Sequence, residues 1–229
     1  MFYNGGKLIV LEGGDGSGKA TQARLLVKAL QEYGPAAFFE FPRYKQSAFG
    51  ALIGRCLAGE FGDFLKLSPY LSSLPYILDR ARAKYLLLES LKDGHVICDR
   101  YTPSNIAYQA AKLPPRDRQA FIDFLEKGEY GELGLPVPDL VLYLHVPTKI
   151  SNQLVGKKDK RPYLKRAGAR DQHEADLDYQ EAVAALYLQL AKKRDSWQII
   201  DCLDGGRLLP REDIHLKVMR TVKRELKLD

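Results

Sequence analysis

The stretch Lys7-Leu-Ile-Val-Leu-Glu-Gly-Gly-Asp-Gly-Ser-Gly-Lys-Ala-Thr21 constrains the fold more than any other part of the chain: an apolar strand runs through a glycine-rich loop directly into a helix-forming segment. Without a Cβ at Gly13, Gly14, Gly16 and Gly18, consecutive backbone N–H groups turn inward as a concave anion nest, and the positive end of the following helix adds to it. Lys19 supplies a full charge for the β- and γ-phosphates. The spacing from Gly13 to Lys19 is G-x-x-x-x-G-K, in the strand-before, helix-after context that a nucleoside-triphosphate site requires. Gly13, Gly14, Asp15, Gly16, Ser17, Gly18, Lys19, Ala20 and Thr21 are therefore the expected nucleotide-binding residues. No glycine triplet here has the dinucleotide G-x-G-x-x-G spacing. Ala20 stands where a Ser or Thr hydroxyl normally meets Mg²⁺, and Thr21 lies about 100° further round the helix, so the metal must be held otherwise.

Beyond the loop, short apolar runs alternate with helical periods. The pattern predicts strands at 7–12, 36–41, 95–98, 139–144 and 197–201. Helices are predicted at 18–33, 46–58, 69–92, 103–111, 115–128, 147–155, 171–194 and 211–226. Most strands are continuous Val, Ile, Leu and Phe rather than alternating, which marks strands buried on both faces and so a parallel sheet between helix layers. The fold class is α/β, and 229 residues with 45% hydrophobic content suit a single unit with a sizeable core. Gly205-Gly206 and the proline pairs punctuate loops.

The charge distribution narrows the partners. Of the formal net charge of +6, all is carried by residues 157–170, where Lys157, Lys158, Lys160, Arg161, Lys165, Arg166 and Arg170 outnumber Asp159. The rest of the chain is neutral, so the pI near 9.1 reports one basic segment rather than a broad nucleic-acid surface. Beside a phosphate loop, such a segment suits a lid over polyphosphate better than an RNA contact. With no run of 18 apolar residues and no signal-peptide pattern at the N-terminus, the expectation is a cytoplasmic protein that engages no membrane. Cys56, Cys98 and Cys202 have neither metal-site spacing nor nearby histidines and read as reduced core thiols.

In open parallel sheets ligands sit beyond the carboxyl ends of the strands. There the chain carries Gly-Gly-Asp-Gly-Ser-Gly-Lys19, Phe41-Pro-Arg-Tyr44 and Asp99-Arg-Tyr-Thr-Pro-Ser-Asn-Ile-Ala-Tyr-Gln109, with Leu135-Pro-Val-Pro-Asp139 before the fourth strand. In this order the motifs resemble the thymidylate kinase family, bacterial type, over nearly the whole length, and the segment Asp99 to Gln109 is the most specific element. The resemblance implies a three-layer P-loop NTPase fold with a five-stranded parallel sheet, one domain over 1–229 and a lid at about 149–170. It also implies phosphorylation of dTMP to dTDP by ATP with Mg²⁺, toward dTTP, by a homodimer formed through helices, for which the apolar stretch Leu71 to Leu91 could serve.

Residue by residue, the resemblance assigns Asp15 to the deoxyribose 3′-hydroxyl or a metal-bound water, and Arg43 and Arg100 to the dTMP phosphate, which guanidinium forks match in a bidentate way. Asp99 would hold the Mg²⁺ shell and make up for Ala20, and Glu174 would reach the metal through water. Phe41 lies with the substrate-binding residues. Tyr76 and Arg80, one helical turn apart, would stack on the pyrimidine and bond its O4. Asn105 would face the N3 edge, Tyr108 would crowd the sugar 2′ position, and Ser104 would support the phosphate or its arginines. Since Gly16 and Ser17 leave the phosphate loop without an arginine, the catalytic cation would come from the lid, from Arg161, Arg166 or Arg170. Catalysis then rests on Lys19, Asp15, Arg100 and those lid arginines, which align two nucleotides and neutralise charge on the moving group.

Two other readings stay open at this level. A deoxynucleoside kinase would use Glu40, just ahead of Arg43, as a base, although paired Arg43 and Arg100 suit an acceptor that already bears phosphate. A non-catalytic nucleotide-binding protein is suggested by Ala20 alone.

Overall fold

The computed structural model describes residues 5–155 and 176–227. Five parallel strands form the central sheet: β1 Leu8–Glu12, β2 Ala36–Glu40, β3 His95–Asp99, β4 Leu140–His145 and β5 Trp197–Asp201, in the order β2-β3-β1-β4-β5. β1 is the centre of the sheet. It pairs in register with β3 (Leu8 with Val96, Leu11 with Asp99) and with β4 (Ile9 with Leu140, Glu12 with Tyr143), and all five of its residues are buried. The helices are α1 Lys19–Leu30, α2 Ala48–Leu57, α3 Pro69–Asp93, α4 Thr102–Ala110, α5 Pro115–Glu126, α6 Thr148–Val155, α7 Leu177–Lys193 and α8 Arg211–Leu226. A π-helical turn, Lys127–Glu132, extends α5.

Alternate residues of the buried strands feed two cores, one on each face of the sheet. On one face Leu8, Val10, Val96, Cys98, Val141 and Tyr143 pack with α3, α4, α5 and α7 through residues such as Leu87, Ile106, Phe121 and Tyr187. On the other, Ile9, Leu11, Ile97, Leu142 and Leu144 meet α1 and α8 through Leu26, Leu30, Val218 and Val222. This is the physical reason the strands read as unbroken apolar runs: both faces are covered.

The structure corrects the sequence reading in two places and leaves a third call untested. Every residue of β2 is only half-buried, because β2 is an edge strand. The helix predicted over 171–194 is described from Leu177; of the lid expected at about 149–170, residues 149–155 belong to α6 and the remainder lies outside the described residues. Gly205-Gly206, read only as loop punctuation, is the turn of a small antiparallel hairpin, β6 Leu203–Asp204 with β7 Arg207–Leu208. Both glycines have left-handed φ, +52° and +78°, as a tight two-residue hairpin turn requires.

Candidate active site

The site lies beyond the carboxyl ends of β1, β2 and β3. The glycine loop leaves β1 at Gly13 and enters α1 at Lys19, with Gly13, Gly16 and Gly18 all at positive φ. Gly13 is a case of close approach: a Cβ there would fall 2.7 Å from Ser17 Oγ and 2.8 Å from the carbonyl oxygen of Leu144. Lys19 is buried, and its Nζ donates to the Gly14 carbonyl at 2.6 Å, so the ammonium is folded back over the nest it serves. Ala20 and Thr21 are exposed on the first turn of α1.

Beside the loop is a pocket that opens to solvent. One wall is apolar and aromatic: Phe41, Pro42, Tyr44, Leu57 and Tyr76. Local structure explains the wall. Ser47 caps α2 by accepting from the amides of Phe49 and Gly50, and Gly50 lets α2 press on the loop after β2, since a Cβ there would meet the Arg43 carbonyl oxygen at 2.2 Å. The Phe41–Pro42 bond is cis, and the Phe41 ring packs on Tyr101 with centroids 5.7 Å apart. Tyr76 follows Pro75, which removes one donor from the ladder of α3 just ahead of the pocket.

The opposite wall is polar, and several of its atoms have no partner. Asp79 Oδ1, Tyr101 Oη, Asn105 Oδ1 and Gln109 Nε2 are buried without a hydrogen bond, although each residue lines the pocket. Buried polar groups are nearly always paired in folded proteins, so four such atoms around one cavity mark a site shaped for a polar-edged ligand. Neighbours fix their orientation. Asn105 Nδ2 donates to the Ser73 carbonyl at 3.3 Å, Gln109 Oε1 receives the Ser72 hydroxyl at 2.6 Å, and Lys112 Nζ supports Ser72 at 3.1 Å. Burial lowers the Lys112 ammonium to about 8.

Arg100 marks the end of the pocket nearest the glycine loop. Its Nη2 pairs with Asp15 Oδ1 at 2.8 Å and donates to Tyr108 Oη at 3.2 Å, and its Nη1 donates to Ser104 Oγ at 3.1 Å. Burial works against the cation, but the oxygens of Tyr108, Asp15, Tyr187 and Glu12 outweigh it and hold the guanidinium well above its ordinary range. Tyr108 Oη in turn donates to Asp15 Oδ2 at 3.1 Å, and burial raises its phenol despite Arg100.

The sequence-derived candidates thus divide. Asp15, Phe41, Tyr76, Arg80, Arg100, Ser104, Asn105 and Tyr108 all line one cavity. Arg80 does so in a way the sequence did not disclose: it is 2% exposed, and its Nε and Nη2 are engaged by the two Glu129 oxygens at 2.6 Å each. Arg43 is corrected. Its backbone N–H donates to Asp79 Oδ2 at 2.8 Å, Nη1 is buried without a partner, and the residue is not part of the pocket lining. Asp99 ends β3 with Oδ1 buried and unpaired, yet among the described residues no three His, Cys, Asp or Glu side chains are arranged to hold a metal. Glu174, Arg161, Arg166 and Arg170 lie outside the described residues. Missed in the sequence were Asp79, Gln109, Glu129 and Glu12. Gln109 closes the signature segment and Asp79 precedes Arg80 on the same helix, so both had a local signal; Glu129 had none.

Known proteins resemble this chain in sequence and in fold. A sequence model of the family described as thymidylate kinase matches residues 11–205. The chain is 36% identical over 208 residues to the thymidylate kinase of Mycobacterium tuberculosis strain H37Rv, covering 88% of this chain and 94% of that one. It is 33% identical over 228 residues to a probable thymidylate kinase of Pyrococcus horikoshii, covering 96% and 98%. In fold it is similar to the solved thymidylate kinase of Candida albicans, with TM-score 0.73 at 22% identity, covering 98% of this chain and 94% of that chain.

Proposed function

This chain belongs to the thymidylate kinase family, and on that premise we propose how its residues divide the transfer of a phosphoryl group from ATP to dTMP. The enzyme is a phosphotransferase of dTTP biosynthesis that makes dTDP. The reading of the site rests above all on the four unpaired polar atoms carried by residues that line one pocket, beside the Arg100–Asp15 pair.

The glycine loop and Lys19 take the ATP phosphates, through inward-facing amides and one mobile charge. The pyrimidine of dTMP enters the pocket against Tyr76 and Phe41. Its O4 accepts from the Arg80 edge not engaged by Glu129, its N3–H donates to Asn105 Oδ1, and Gln109 Nε2 offers a further donor to the base. Tyr108 and Asp15 meet the sugar. Arg100 holds the 5′-phosphate with Ser104 beside it, and Arg43, whose Nη1 is buried without a partner, turns toward that phosphate when the acceptor is bound. Lid arginines among Arg161, Arg166 and Arg170 neutralise the transferred group; each single Ala variant would be compared, and loss of the acting one should lower turnover by about 10² or more with little change in dTMP affinity.

Mg²⁺ suits this donor set only in part. Ala20 offers no oxygen, but Asp99 Oδ1 is a buried carboxylate oxygen without a partner, a hard donor of the kind Mg²⁺ accepts beside waters and phosphates. When bound, the ion neutralises charge on the donor phosphates; Asp99 would orient its shell, with Asp15 and Glu174 as further carboxylates.

The enzyme acts as a single cytoplasmic unit over residues 1–229, and no helix among the described residues is long and apolar enough to cross a membrane. It works as a homodimer through the outer face of α3, where Leu71, Leu74, Leu78 and Tyr85 are 62%, 43%, 44% and 72% exposed. Sedimentation equilibrium of the wild type and of Leu78→Glu tests that face. The central experiment is a coupled ADP-release assay across nucleosides and nucleoside monophosphates. Turnover with dTMP and none with thymidine supports the reading; turnover with thymidine alone would replace it with a nucleoside kinase.

A further inference from the structure

The acceptor phosphate is assigned above to Arg100, and nothing so far explains why Arg100 points where it does. Arg100 is one of only two non-glycine residues at positive φ among the described residues, at +65°, a backbone conformation that disfavours a side chain. Its own N–H is fixed by the Leu11 carbonyl at 3.0 Å, which leaves the next peptide as the point where the turn must be held.

That point is held by Glu12. The last residue of β1 is fully buried, and a buried carboxylate is tolerated only when its oxygens are satisfied. Oε1 accepts from the backbone N–H of Tyr101 at 3.0 Å and of Ser104 at 3.1 Å; Oε2 accepts the Ser104 hydroxyl at 2.5 Å and the Tyr187 hydroxyl at 2.7 Å. Tyr101 is the N-cap of α4 and its side chain makes no capping bond. In an ordinary capping box the N-cap side chain serves the N3 amide while the N3 side chain serves the N-cap amide. Here one carboxylate from a neighbouring strand serves both amides. The same carboxylate anchors Ser104 Oγ, which accepts from Arg100 Nη1, and ties in Tyr187 of α7.

We propose that Glu12 is a positioning residue for the acceptor phosphate: by capping α4 from outside and anchoring Ser104, it holds Arg100 in its left-handed turn with the guanidinium aimed at the pocket. This rests on Arg100 being the phosphate clamp. Glu12 itself touches no substrate, since it is sealed beneath the loop. Its charge is compensated across the node, so an isosteric amide would put a second donor against the Ser104 and Tyr187 hydroxyls or against the two backbone amides.

The test separates phosphate recognition from base recognition. Calorimetry on the full chain would give affinities for dTMP and for thymidine in the wild type, Glu12→Gln, Ser104→Ala and Arg100→Ala. In Glu12→Gln the preference for dTMP over thymidine should fall at least about tenfold while thymidine affinity stays within about threefold, because only the phosphate grip has moved. Should Glu12→Gln fail to fold, Ser104→Ala carries the test: it cuts the relay to Arg100, spares both backbone caps, and should show the same selective loss. An unchanged preference in the folded variant, or a parallel loss of both ligands, overturns the proposal. If Arg100→Ala loses the preference and Glu12→Gln keeps it, only the positioning role fails; if Arg100→Ala keeps it, the clamp itself is refuted and the positioning role falls with it.

Discussion

The Arg80–Glu129 pair allows a prediction in which stability and recognition move in opposite directions. Both side chains are essentially sealed, at 2% and 0% exposure, with two bonds of 2.6 Å between them and a third onto Glu129 from Thr102 Oγ1 at 2.9 Å. Burial opposes the Arg80 cation, and Glu129 raises its pKa back above the ordinary value. In Glu129→Ala the guanidinium stays in place without its counter-charge, which should cost about 3–5 kcal/mol of folding stability. At about 2–4 °C per kcal/mol for a chain of this size, the melting temperature should drop by about 6–20 °C. Replacing both members, as Arg80→Met with Glu129→Leu, removes the charge and the need for it, so stability should return to within about 1 kcal/mol of wild type. On the proposed reading base binding should not return, because Arg80 is the donor assigned to the pyrimidine O4. Urea unfolding followed by the single tryptophan, Trp197, which is buried at 5% exposure, reads the stability term, and thymidine calorimetry reads the other. Penalties of the two single variants that add in the double variant, or a Glu129→Ala cost below about 1 kcal/mol, would refute the reasoning.

Two further outcomes follow from local geometry. His95 Nδ1 accepts the Lys7 N–H at 3.1 Å, and burial lowers its pKa below the ordinary 6.5. The unfolded chain therefore takes up a proton near 6.5 that the folded chain resists, so stability is full above that pH and declines as pH falls through it; urea midpoints between pH 8 and pH 5 should show this, with a shallower slope in His95→Gln. Gly13→Ala sets a Cβ 2.7 Å from Ser17 Oγ and 2.8 Å from the Leu144 carbonyl oxygen at a φ of +151°, and should weaken ATP at least about tenfold by calorimetry. Gly18→Ala meets strain at +89° but no neighbour within 4 Å and should weaken it less.

The sheet was legible because each buried strand, covered on both faces, has no choice but to be apolar, and because glycines and prolines end it. Boundaries agreed to within a few residues wherever the two signals coincided, as at Ala36–Glu40 and Trp197–Asp201. What stayed hidden was of two kinds. The hairpin at Leu203–Leu208 has two-residue strands, too short for alternation to show, although Asp204-Gly-Gly-Arg207 held the turn chemistry. The π-helical turn at Lys127–Glu132 carries the buried Glu129, and no local pattern marks it.

The same distinction runs through the site. Residues that line the pocket come from motifs with fixed spacing, so the gathering of Asp15, Arg100, Asn105 and Tyr108 could be read from the chain alone. Residues that hold those groups come from wherever the fold brings a partner within reach: Glu129 is 49 residues from Arg80, and Glu12 is 89 from Tyr101 and 175 from Tyr187. A glutamate at the end of a strand or in a polar turn is, as sequence, a solvated surface residue; only the burial imposed by the third dimension turns it into a charge that needs particular partners. Two of the buried carboxylates each meet one arginine of the pocket, Glu129 directly and Glu12 through Ser104. On the proposed reading, base and phosphate recognition therefore depend on separate supports, which is why a variant of one should spare the other.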